Sequence, residues 1–190
     1  MATTLPPDVP PPYPFRVAGP PDSPEPRSPQ ATALRWVEAI MDDGDLAAAW
    51  PLTDPVLRLV LAQDWVWMHR HQPMIGHGVD WDVMARGLAA CPPGHPLWDR
   101  FAAELIERWQ HIWMGFSART WAPWDQPEVL DLDVEVVTFL ESHGEPVRFE
   151  PGRSAFARRF ALRHSPEGWL VASVNGDQMF VPGWPPSLEV

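Results

Sequence analysis

The sequence predicts an α+β fold, with N-terminal helices packed on a C-terminal antiparallel sheet of about four strands. Two observations carry this. Up to residue 113 apolar side chains recur at three- and four-residue spacing, as in Trp98, Phe101, Leu105, Trp109 and Ile112, the mark of a helix with one buried face. After Gly115 the period changes. In residues 129–140, VLDLDVEVVTFL, the side chains of Leu130, Leu132, Val134 and Val136 alternate with Asp131, Asp133 and Glu135. That period of two belongs to a strand with one buried and one wet face.

The length of 190 residues suits one domain with a real core. Residues 1–27 are read as a proline-rich flexible arm, 28–176 as a single α+β domain and 177–190 as a C-terminal extension. Cys91 is the single cysteine, which excludes an internal disulfide and points to a reducing compartment. There is no basic segment followed by an apolar run at the N-terminus and no apolar stretch of membrane-spanning length. A soluble cytoplasmic protein is therefore expected, without membrane association. The net charge of −11 makes nucleic acid an unfavourable partner. All basic residues are arginine. The 12 tryptophans carry large apolar area and belong in a core, a pocket or an interface.

The arm, with LPPDVPPPYPF, favours polyproline II over packed structure. It can serve as a docking peptide or lie along its own domain through Tyr13 and Phe15. Ser28 followed by Pro29 caps a first helix whose Ala33, Val37, Ile40 and Met41 share a face, with Trp36 beside them. Gly44 stops it, and Asp45 caps a short helix over 46–50. Pro51 breaks that helix, and Asp54–Pro55 opens a third, with Leu57, Val60, Leu61, Trp65 and Met68 interrupted by Asp64. It ends near His71, ahead of Pro73. A loop through Gly76 and Gly78 leads to a helix over 81–90, closed by Cys91-Pro92-Pro93-Gly94.

The strongest helix follows, with Trp98, Phe101, Leu105, Trp109, Ile112 and Trp113 on one stripe. Arg100, Glu104, Arg108 and His111 lie on the other side, where Glu104 and Arg108 have favourable spacing. Strands are expected at 116–121, 129–140, 153–164 and 169–175, with a turn at APWDQPE, a loop at 144–152 and a tight turn at SPEG. The tail packs through Phe180 and Trp184. If 129–140 and 153–164 are neighbours, Arg159 and Arg163 face the row Asp131, Asp133, Glu135. Arg158 lies on the apolar parity with Phe156, Phe160 and Leu162, where a cation must find a carboxylate, water or a cavity.

The opening ATALRWVEAIMDDGDLAAAW, with its Gly44-Asp45 break, and the closing FARRFALRHSPEGWLVASVNGD resemble the nuclear transport factor 2-like superfamily and its polyketide-cyclase-like group. The resemblance covers roughly residues 28–176. It implies a curved sheet wrapped by helices into a cone able to hold an apolar ligand, and dimerisation through the sheet. The chain departs from it at 54–90, which reads as helical where the superfamily has a hairpin.

Candidate chemistry is sparse. His69, His71, His77, Asp80 and Asp82 gather nitrogen and oxygen donors, but their spacing matches no zinc pattern, so neither a metal nor a cofactor is expected. Asp64, Asp82 and His69 are candidates for acid–base work in an apolar pocket. There is no Gly-x-Ser-x-Gly and no phosphate-binding loop. The leading expectation is a binding protein for an apolar small molecule or a protein partner, with Asp64, Trp65, Trp113 and Arg158 at the ligand. The alternatives are an isomerase or cyclase using a pocket carboxylate or histidine, and an interaction module that docks through the arm.

Overall fold

The structure is a computed structural model that describes residues 28–75, 78–124, 126–142 and 156–186. The proline-rich arm, His77 and the loop expected at 144–152 lie outside the described residues. Among those described the fold is α+β, with five helices followed by an open, curved antiparallel sheet of five strands.

Four of the five described helices begin where a short polar side chain meets a proline or a run of good helix formers; the fifth starts at Leu97 without a side-chain cap. Ser28 Oγ accepts from Ala31 N at 3.1 Å and starts α1, Pro29–Val37. The helix widens into a π turn over Glu38–Asp42 before Gly44, at φ +66°, ends it. That wider turn brings Asp42 to Ser117 Oγ at 2.6 Å and Ala118 N at 3.1 Å, which ties the first helix to the approach to the sheet. Asp45 caps α2, Leu46–Ala49. Asp54 caps α3, Pro55–Met68, by accepting from Val56 N at 2.8 Å. Caps of this kind each contribute about 1 kcal/mol. Asp80 caps α4, Trp81–Ala89, and α5 is Trp98–Ile112.

The sheet consists of β1 Trp121–Pro123, β2 Glu128–Asp131, β3 Val134–Glu141, β4 Ala157–Ser165 and β5 Gly168–Ser173. The order is β1-β3-β4-β5, and β2 pairs with β3 on the edge that β1 also uses. Thr53 adds a parallel bridge to Val171, and Asp54 N donates to Val171 O at 2.8 Å. The connection into α3 thereby covers the outer edge of β5.

Several sequence expectations are corrected. Residues 129–140 are a hairpin and not one strand: β2 and β3 pair Asp131 with Val134 across Leu132 and Asp133, with a bulge at Leu130. Asp131 Oδ1 accepts from Leu132 N at 2.7 Å, so the aspartate side chain satisfies the first backbone donor of the turn. The alternation hid the turn because the apolar–acidic rhythm runs through it. The helix-facing parity is also the opposite of the one expected. Val137 and Phe139 enter the main core, whereas Val134 and Val136 bury on the reverse face with Ala161 and Met179. Residues 118–120 are a turn, and the first strand falls at Trp121–Pro123, sharing only Trp121 with the strand expected at 116–121 and running on into the expected turn.

Charge pairing differs too. Arg159 meets Glu128, while Arg163 reaches Asp54 at 3.0 Å and only the edge of Asp133 at 3.9 Å. Thr138 stands opposite Arg159, and Val134 opposite Arg163, so the register places the expected acidic row elsewhere.

Between helices and sheet lies an aromatic core. Trp36 meets Trp109 at 5.1 Å, Phe160 at 5.8 Å and Trp113 at 6.3 Å between ring centroids. Phe116 joins Trp121 at 5.0 Å, Phe139 at 5.7 Å and Phe160 at 5.9 Å. These are edge-to-face and stacked separations at which rings fill space and attract. The indole N–H of Trp36 is satisfied by Thr53 Oγ1 at 2.9 Å, and Thr53 donates to Ala49 O at 2.9 Å. The tail clasps the domain as expected at Phe180, which is buried in the core. Gly183 N donates to Gln63 at 3.0 Å and Trp184 Nε1 to Asp82 at 2.7 Å, where its ring also meets Trp81.

Candidate functional site

α3 is apolar on most of its circumference because it lies under α4 and against α5, and its polar groups must find partners there. The largest polar cluster forms where its C-terminal half meets α5. Glu104 on α5 accepts from Trp65 Nε1 at 2.8 Å and Arg100 Nε at 2.7 Å, and lies 2.9 Å from His69 Nε2. Arg100 also donates to Gln72 at 3.0 Å. The His69 ring stacks on Trp65 with centroids 4.5 Å apart, and its Nδ1 donates to Trp65 O at 2.8 Å. A carbonyl and a carboxylate only accept, so both ring nitrogens of His69 face acceptors.

Burial alone would raise the Glu104 carboxyl. The hydrogen bonds from Arg100 and Trp65, with the positive charges of His69 and Arg100, outweigh it and hold the group below its ordinary range. Glu104 is thus an anion enclosed by three donors.

One turn along, Asp64 accepts from Arg108 Nη1 at 2.6 Å, and Arg108 Nη2 approaches Met68 Sδ at 3.4 Å. The expected pairing of Glu104 with Arg108 is therefore replaced by two cross-helix pairs. Neither was visible in the sequence, because α3 had to be laid against α5 first. The i, i+4 spacing of Arg100 and Glu104 was the one local signal.

The residues expected at a ligand do not converge. Trp65 is buried against Phe101 and His69, and Trp113 is buried among Trp36, Trp109, Phe116 and Phe160. Asp64 is held by Arg108 at the α3–α5 surface. Arg158 stands opposite Phe139 on the helix-facing parity near the end of the sheet, half-exposed and without an ion pair among the described residues. A long side chain at a sheet end can keep its stem on apolar surface and its head in water. A second cation, Arg58 on α3, has Nε and Nη1 buried with no partner among the described residues; its place early in a capped helix gave no hint of this.

The histidine-rich stretch disperses. Asp80 caps α4, Asp82 takes the Trp184 indole and Arg86, and His71 is exposed. Among the described residues no group of three or more metal-binding side chains is gathered. No helix there is long and apolar enough to cross a membrane.

Exposed apolar side chains gather instead at the β2–β3 hairpin. Val129, Leu130 and the turn residue Leu132 have 71, 43 and 103 % of their surface open. No family model, curated protein or solved structure matches the chain.

Proposed function

We propose that this chain is a protein-binding domain of the nuclear transport factor 2-like kind, in which the space between helices and sheet is taken by its own aromatic side chains. The observation that carries this is the interlocked group of Trp36, Trp109, Trp113, Phe116, Phe139 and Phe160, with neighbouring centroids 5.1–6.3 Å apart. Trp113, a candidate ligand contact, is part of that packing. The order of helices before an antiparallel meander, and the Gly44-Asp45 break between α1 and α2, support the kinship. The single free cysteine, Cys91, is exposed and suits a reducing, cytoplasmic setting.

Native mass spectrometry of protein purified without added ligand tests this reading. The mass expected is that of the bare chain, alone or as a symmetric dimer. A small-molecule adduct that disappears on Trp113→Ala would overturn it in favour of a ligand-binding cone.

A second reading, an isomerase or cyclase, draws on the His69–Glu104 contact at 2.9 Å, where Glu104 is partly open to water. It requires a reaction that His69→Gln and Glu104→Gln each slow while leaving substrate binding intact.

A further inference from the structure

We infer that the β2–β3 hairpin is the recognition edge, and that it takes an extended protein segment in which arginine or lysine alternates with apolar residues. This rests on the protein-binding reading above and names its surface and partner.

Three observations converge. First, β2 has β3 on one side and no strand on the other among the described residues, so its outer backbone groups are available to a further strand. Second, the hairpin displays Val129, Leu130 and Leu132, and Leu132 is fully open at the turn. At that exposure the Leu132 side chain buries nothing in the domain's own packing. Third, the same segment is acidic. Glu128, Asp131, Asp133 and Glu135 fall within eight residues. Arg159 answers Glu128, and Arg163 touches Asp133 only at 3.9 Å while holding Asp54 at 3.0 Å. Asp131 and Glu135 have no ion pair among the described residues.

Apolar side chains at an open edge beside Asp131 and Glu135, which have no ion pair among the described residues, fit a cationic, apolar strand. They repel an acidic one and disfavour a second copy of this edge. Charges on an edge strand also guard against indiscriminate pairing. Here they set the sign of the partner.

The test is a titration of the isotope-labelled full chain with a short peptide alternating lysine and valine, followed by amide chemical shifts. A glutamate–valine peptide serves as control. The expected result is binding by the basic peptide alone, with shifts centred on residues 128–136. Affinity should fall about tenfold on Leu132→Asp or on Glu135→Lys, and fall again with added salt. Leu132 is solvent-exposed, so Leu132→Asp leaves the fold intact and isolates the surface effect.

No binding, equal binding of both peptides, or shifts that grow with protein concentration alone would overturn the inference; the last would identify a second copy as the occupant. Shifts centred elsewhere would overturn the hairpin while leaving a protein-binding domain. A small-molecule adduct in the mass measurement would remove the reading beneath it.

Discussion

Replacing Glu104 by glutamine keeps the shape of the side chain and removes its charge. It also turns an amide N–H₂ toward Trp65 Nε1, His69 Nε2 or Arg100 Nε, which lie at 2.8, 2.9 and 2.7 Å. Hydrogen bonds to charged groups contribute about 1.5–3 kcal/mol when shielded. The Glu104 side chain is 32 % exposed, so water compensates much of the loss, and a net cost of about 2 kcal/mol is expected for the three together. In a chain of this size that corresponds to a fall in Tm of about 4–8 °C.

The pH dependence carries the sign. The folded carboxyl lies below its ordinary value of 4.5. Its stabilisation is therefore complete above the unfolded value and is lost as pH falls through the folded one. Urea unfolding of wild type and Glu104→Gln should show the full gap at neutral pH, closing as pH falls below the unfolded value and through the folded one. An unchanged gap in acid, or no gap at neutral pH, would refute the idea that these donors converge on an anion.

Three further outcomes follow from other contacts. A Cβ at Gly87 would stand 2.8 Å from His95 Cδ2; Gly87→Ala should cost about 1 kcal/mol in thermal unfolding despite its better helix propensity, and should become stabilising in a His95→Ala background. Burial holds the His95 imidazole below its ordinary 6.5, and its Nδ1 accepts from Leu97 N at 3.1 Å. The folded state favours neutral His95, so stability is present above the unfolded value and declines as pH falls below it; His95→Asn should flatten that part of the denaturation profile. Trp184→Ala removes the indole bond to Asp82 and the ring against Trp81, and should lower the urea midpoint by the equivalent of about 2 kcal/mol at unchanged slope.

The elements that were legible in the sequence are those with local causes. Ser28, Asp45 and Asp54 announced their helices because a cap needs only the next few residues. The tail residues Phe180 and Trp184 were readable as anchors because large apolar groups in a proline-broken segment have few other uses. The hairpin was missed for a physical reason. Asp131-Leu132-Asp133 turns the chain while preserving the apolar–acidic rhythm, and a period of two is blind to a reversal that keeps it.

The buried parity of β3 was misread because both faces of the sheet are covered there, one by helices and one by Met179. Alternation then no longer labels inside and outside. Asp64 was noticed as a polar residue on an apolar helix and His69 as an acid–base candidate, but their partners Arg108 and Glu104 are more than thirty residues away. Only the packing of α3 on α5 shows that these groups satisfy one another.

The most direct test of the filled interior is thermal unfolding with and without a small apolar probe such as indole. Trp113 is enclosed by Trp36, Trp109, Phe116 and Phe160, so wild type should be indifferent to the probe. Trp113→Ala should be less stable but gain stability from indole, because an apolar hole left by a core side chain takes up an apolar guest. Stabilisation of wild type by the probe, lost in Trp113→Ala, would contradict the account and return Trp113 to the wall of a ligand site.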